Sequence, residues 1–214
     1  MPLSMKQVRK PKTPVSTWID EARAALIEEG IGGVKVDRLA ARIGVTRGGF
    51  YHYFEDREAL LAALLARWEE TCKFLPPLDP DLSPSEAVDW IEMAATRMVE
   101  ERGYDSRFDM AVREWARSDE RAAAAVNASD EERIATLQRF FELLGHPADE
   151  AIIRANTFYF HQIGYYAIGV KGTPAERLQT AGTYLKILCG QRALEAARAQ
   201  SPSTSQERRV RLIA

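Results

Sequence analysis

The stretch VDRLAARIGVTRGGFYHYFEDREAL, Val36–Leu60, decides how the rest of the chain is read. Leu39, Ala40 and Ile43 recur at the interval that places side chains on one helix face. Gly44 can take the left-handed conformation that ends a helix, and Thr46 is a residue type that caps the next. The spacing therefore predicts two short helices broken at a glycine and then a third, the grammar of a helix-turn-helix. The second of these, predicted from about Arg47 to Tyr53, exposes Arg47, Tyr51, His52 and Tyr53 around Gly48 and Gly49. Each glycine costs a helix about 1 kcal/mol relative to alanine. Two in so short a helix imply either close approach of the backbone to another molecule or a helix that is ordered only on binding. Phe50, Phe54, Leu39, Ala40, Val45 and Leu60 read as core.

The order V-x-x-L-A-x-x-x-G-V-T-x-G-x-F-Y-x-Y-F-x-x-R-x-x-L, ungapped over Val36–Leu60, resembles the DNA-binding domain of TetR-family transcriptional regulators. The likeness runs back through Trp18 to Gly30, so it covers about a quarter of the chain closely. Farther on, EWARSDERAAAAV (Glu114–Val126) is similar to a stretch in some members, and the remainder rests on helical architecture. The resemblance implies that the second motif helix enters the major groove of double-stranded DNA. Its candidate contacts are Lys35, Arg47, Gly48, Gly49, Tyr51, His52, Tyr53 and Arg57. Arg47 is placed to pair bidentately with a guanine edge. Tyr51 and His52 suit phosphates or thymine methyls, Tyr53 either joins that surface or is partly buried, and Arg57 matches a basic position that clamps the DNA backbone. Two positions depart from the family pattern. Gly49 stands where a Ser, Thr or Ala is usual. Lys35 stands where a Thr or Ser often caps the first motif helix; lysine cannot cap, but it can neutralise a phosphate.

Composition is that of a globular protein: 214 residues, 46% hydrophobic and 28% charged, enough for one medium or two small domains. The formal net charge of −2 hides an asymmetry, because residues 1–60 hold 10 Lys and Arg against 8 Asp and Glu. Lys6, Arg9, Lys10 and Lys12 make a basic arm of residues 1–15, read as a DNA contact or as a solvated tail. No run reaches the roughly 18 apolar residues of a membrane span, and the amino terminus lacks the apolar core of a signal peptide. A cytoplasmic protein with no membrane partner is expected. Cys72 and Cys189 fit no metal spacing and read as reduced apolar packers, with no disulfide. No metal and no cofactor is expected. The chain has no GxxxxGK, no HExxH, no paired cysteines and no nucleophile elbow, and its three histidines are His52, His146 and His161; this argues against an enzyme.

Helical periodicity pervades the sequence, so the fold is expected to be all-α; the resemblance implies an amino-terminal three-helix helix-turn-helix domain and a larger carboxy-terminal helical domain for ligand binding and dimerisation. Predicted helices run over about Thr17–Glu29, with Thr17 as cap, then the two motif helices, then Arg57–Phe74. After Pro76, Pro77, Pro80 and Pro84 come Ser85–Arg102, Ser106–Ser118, Glu120–Leu144, Ala148–Val170 and Pro174–Ala199, with an interruption of the third of these open at Asn127–Asp130. The expected domains are the arm 1–15, the DNA-binding part with its connecting helix 16–74, the second domain 75–199 and a flexible tail 200–214.

Aromatic and sulfur side chains crowd the second part, either as plain core or as the wall of an apolar cavity. The resemblance implies an effector pocket there, with Trp90, Met93, Arg97, Phe108, Trp115, Phe141, Tyr159 and Gln162 as candidate lining. It also implies a homodimer formed by the last two helices, with Phe158, His161, Tyr165, Ala181, Leu185 and Leu188 as candidate interface. Two recognition helices about 34 to 36 Å apart would then read a palindromic operator. The function expected is a homodimeric repressor released from its operator by an unknown small-molecule effector that is largely apolar, with the helix after the motif as the connecting lever. The alternative is a DNA-binding structural or adaptor protein of the same fold with no effector.

Overall fold

The computed structural model describes residues 13–77 and 79–200. The basic arm through Lys12 and the tail beyond Gln200 lie outside the described residues. Among those described there are ten α-helices, one short 3-10 turn and no strand; the architecture is all-α. Internal contacts divide the chain into a unit ending at Arg67 and a unit beginning at Trp68. The division falls inside a helix rather than in the proline-bearing stretch that follows it.

The first unit comprises α1 (Val15–Glu29), the 3-10 turn Ile31–Gly33, α2 (Val36–Ile43), α3 (Arg47–Phe50) and the larger part of α4 (Arg57–Thr71). Trp18, Ala22, Ala25 and Leu26 of α1 are buried together with Val34, Leu39, Ala40, Phe50, Phe54, Leu60, Leu61 and Leu64. The Phe50 ring meets Trp18 edge-on at 5.3 Å and stacks on Phe54 at 5.2 Å. α1 begins two residues earlier than its sequence suggests. Pro14 is its N-cap, and the Pro14 carbonyl accepts the Thr17 N–H at 3.1 Å, so Thr17 is inside the helix and caps nothing. Gly44 closes α2 in the left-handed region, φ 77°. The Val45 N–H reaches back to the Ala40 carbonyl at 3.0 Å, the six-to-one bond that stops a helix at a glycine. Val45 itself is only half-buried and is not core.

The second unit contains the end of α4, α5 (Pro84–Val99), α6 (Ser106–Ala116), α7 (Glu120–Leu143), α8 (Ala148–Ile168), α9 (Pro174–Cys189) and α10 (Gln191–Ala199). Side-chain caps set the starts: Ser83 with Glu86, and Thr173 with Glu176, form reciprocal capping boxes, while Asp105 and Asp119 cap α6 and α7. α7 runs unbroken through Asn127–Asp130, where Asp130 is held by Arg113 and Tyr159. α8 stops at Gly169, φ 70°, before the expected Gly172. The expected helix Pro174–Ala199 is two helices, because Gly190 adopts φ 81°. Long α7 packs on α8, flanked by α5 and α6, around Phe108, Val112, Leu137, Phe140, Phe141, Ala155 and Phe158. Cys72 and Cys189 are buried and free; burial pushes each thiol up to about 12. No helix among the described residues is long and apolar enough to cross a membrane.

Candidate nucleic-acid interface and ligand cleft

α3 is a single turn, Arg47–Phe50, followed by an irregular turn through Tyr53 in which the Phe54 N–H still bonds the Phe50 carbonyl at 3.1 Å. It is shorter than its expected span because two of its four residues are glycine, and because Thr46 offers no side-chain cap. Neither glycine has a left-handed φ, and a Cβ would fit at both. At Gly48 the nearest atom is Thr46 Oγ1 at 3.8 Å, and at Gly49 it is Trp18 Cζ2 at 3.9 Å. The fold alone therefore does not demand glycine here. Arg47, Gly48, Tyr51 and His52 are exposed, whereas Gly49 and Tyr53 are half-buried.

Arg47 is tethered rather than free. Its Nη2 donates to the Tyr51 hydroxyl at 3.0 Å and its Nη1 to the Asp37 carboxylate at 3.4 Å. The hydroxyl, and after it the carboxylate, hold the guanidinium above its usual pKa. Lys35 is exposed at the N-cap of α2 and makes no cap bond. Arg57 donates from Nε to the Val34 carbonyl at 2.7 Å and from Nη2 to the Ile31 carbonyl at 3.1 Å. It fastens the turn after α1 to α4 while its side chain stays partly exposed. Arg38 and Arg42 of α2 are likewise bound, Arg38 to Glu29, and Arg42 to Glu21, Glu28 and Glu29. The charge count along the sequence did not reveal that α1 carboxylates neutralise these arginines.

The second unit holds a buried polar network that sequence reasoning missed. Asp109, fully buried, accepts from Trp68 Nε1 at 2.9 Å, the Tyr104 hydroxyl at 2.9 Å and Arg113 Nε at 2.8 Å. Asp130 takes both terminal nitrogens of Arg113, at 2.8 and 2.7 Å, and the Tyr159 hydroxyl at 2.6 Å. Arg133 donates to the Tyr159 hydroxyl at 3.0 Å and the Cys72 carbonyl at 3.1 Å, and lies over the Trp68 and Phe74 rings at 5.5 and 5.3 Å. Burial lifts the Tyr104 and Tyr159 hydroxyls above their usual pKa, so both stay protonated and donate.

Arg133 also lines a cleft of about 390 Å³ between the Cys72–Pro77 segment and one face of α7, Ala125, Ala128, Ser129, Glu132 and Thr136. A second cleft, of about 430 Å³, lies beside Glu100, Glu101, Tyr165, Tyr166 and Arg177; there Arg177 stacks on Tyr165 at 3.7 Å and donates to Gln162 at 3.0 Å. None of the eight residues expected to line a pocket borders either cleft. Phe108, Trp115, Phe141 and Tyr159 are packed in the interior, Trp90 and Gln162 are buried, and Met93 and Arg97 are half-buried, with Arg97 over the Trp90 ring at 5.5 Å.

The residues expected at a dimer interface divide by the face they occupy. Phe158, Leu185 and Leu188 are buried within the chain. Ala181 and Tyr165 are half-buried, and His161 is exposed and stacked on Tyr184 at 4.9 Å. The apolar side chains that α8 and α9 leave in solvent are others: Ile153, Phe160, Ile168 and Ile187, the last two 79% and 76% exposed.

Residues 19–64 match the family of bacterial regulatory proteins, tetR family. The Escherichia coli transposon Tn10 TetC protein is 33% identical over 52 residues, 24% of this chain and 26% of that protein; the match thus spans about a quarter of the relative's length. Solved structures share the fold more widely. A transcriptional regulator from Rhodococcus sp. superposes with a TM-score of 0.57 at 20% identity, covering 86% of this chain and 98% of that one. The fatty acid degradation regulator FadR from Bacillus halodurans gives 0.55 at 14%, covering 86% and 98%. The transcriptional regulator FadR from Bacillus subtilis, in complex with stearoyl-CoA, gives 0.51 at 15%, covering 83% and 98%.

Proposed function

We propose that this chain, whose residues 19–64 form a domain of the tetR family of bacterial regulatory proteins, is a homodimeric repressor that leaves a palindromic operator when a small effector binds. The observation that carries this reading is the exposed turn Arg47–His52, held on a rigid aromatic base of Trp18, Phe50 and Phe54. A guanidinium in the first turn of such a helix suits a guanine edge, and flanking Tyr51, His52 and Lys35 suit phosphates. Gly48 and Gly49 let the backbone come close to the duplex.

A single short recognition helix makes too few contacts for tight specific binding, so the reading requires two copies. The exposed Ile153, Phe160, Ile168 and Ile187 of α8 and α9 support a two-fold interface, in which each copy covers the other's apolar face. Release follows from differential affinity: an effector that binds better to a conformer with misplaced recognition helices lowers DNA affinity by the factor with which DNA lowers its own. A regulator of the same fold solved with stearoyl-CoA supports a small-molecule effector.

Capture of fragmented genomic DNA on the purified protein, followed by sequencing, tests the reading. A palindromic site bound by two copies is expected. Recovery of random fragments, or binding by a solitary chain, refutes it.

A further inference from the structure

The two acids and two arginines of the buried network are not paired evenly. Arg113 serves both carboxylates, closing Asp130 in a fork and reaching Asp109 with Nε. Arg133 is left with two neutral acceptors, a hydroxyl and a carbonyl, and its nearest carboxylate oxygen, on Asp130, stands at 3.6 Å. That is an ion-pair distance without a hydrogen bond. The residue is 8% exposed. A guanidinium keeps its charge in any environment and presents five N–H donors in a fork that matches a carboxylate. A buried charge is stable when paired and hydrogen-bonded, and here the arginine lines an open cleft.

We propose that the cleft between Cys72–Pro77 and α7 binds a small monocarboxylate with an aliphatic or aromatic tail, its carboxylate paired with Arg133. This names the effector class for the function proposed above and rests on that reading. Phe74, Leu75, Pro76, Ala125 and Ala128 give the cleft apolar walls for the tail. Ser129 stands one helical turn before Arg133 on the same face of α7, placed to donate to the second carboxylate oxygen. A volume of about 390 Å³ is at the small end of ligand pockets. Glu69 and Glu132 at the exposed rim, opposed there only by Lys73, repel a second negative charge and so disfavour dicarboxylates and phosphates. A neutral tail alone would leave the arginine as it is, with no gain from the fork.

Hexanoate and phenylacetate are the probes, with hexanamide and phenylacetamide as uncharged controls, read by thermal unfolding and calorimetry on the full chain. Either acid is expected to raise Tm by about 5 to 10 °C at a hundredfold excess over its Kd, while the amides leave it unchanged. Arg133→Gln should abolish the shift. Since that variant touches the core, Ala128→Phe is the second arm: it fills the cleft from an exposed position on α7, should leave the unliganded Tm in place and should abolish binding. Amides acting as well as acids, no shift with either acid, or undiminished binding to the Ala128→Phe variant each overturn the inference. Operator affinity measured on the same samples separates the two readings. Intact DNA binding with no acid binding removes only the ligand class, and acid binding without an operator removes only the regulator.

Discussion

On the proposed reading, Arg47 and Lys35 meet a duplex differently. Arg47 opens α3 with its guanidinium steadied by Tyr51 and Asp37. Lys35 is an exposed point charge at the N-cap of α2. Arg47→Ala should weaken specific binding by about 1 to 3 kcal/mol and relax the preference at one operator position. Lys35→Ala should weaken all sequences alike and flatten the salt dependence. Binding-site selection and salt titrations distinguish them, and unchanged selection by the Arg47 variant would remove its base-reading role. Gly48 offers a sharper probe, because it is exposed, space for a Cβ exists and φ is not left-handed. Gly48→Ala should raise unfolding stability by roughly 0.5 to 1 kcal/mol yet weaken operator binding, since the added methyl intervenes between backbone and DNA. Equal or tighter binding would show that glycine there serves only to loosen the helix.

Elements were legible where their signals are local. Gly30 and Gly44 end α1 and α2 as the sequence suggests, and Pro174 and Gly145 fall beside helix ends. α5 starts one residue before the sequence suggests, because Pro84 is the first helical residue behind the Ser83–Glu86 box. Ser83→Ala should cost about 1 kcal/mol in denaturant unfolding; a loss below a few tenths would mean that the packing of α5, not its cap, sets that end. The buried network was invisible in advance. Asp109 and Arg113 stand four apart on one helix, but the partners on different elements are separated by up to 61 positions, as in Arg133 and the Cys72 carbonyl, and no periodicity links those. The inward and outward faces of α8 were equally unreadable: Phe158, Tyr159 and Phe160 are consecutive aromatics, of which two are buried and one is exposed. Only the packing of α7 against α8 decides which.

For the assembled molecule, the exposed isoleucines are the point of leverage. Ile168→Glu combined with Ile187→Glu should shift sedimentation from dimer to monomer and abolish operator binding while each chain stays folded, because neither side chain belongs to the core. A dimer that persists in that variant places the interface elsewhere. Acid should loosen each folded chain. His161 lies on this face, and partial burial together with Arg177 holds its pKa below the usual imidazole value. Its contribution to the stability of the folded chain is therefore present above about pH 6.5 and is lost as pH falls through the depressed value, so the denaturant midpoint should decline on acidification, and less so for His161→Gln.

The two thiols of the native sequence, both buried and both held near 12, leave the folded protein with almost no thiolate at neutral pH. A fluorophore maleimide offered to the wild type should therefore find no rapid target. A single cysteine introduced at exposed Ala196 on α10 would accept the dye selectively, and distance changes between labelled copies could then be followed by energy transfer without first removing Cys72 or Cys189.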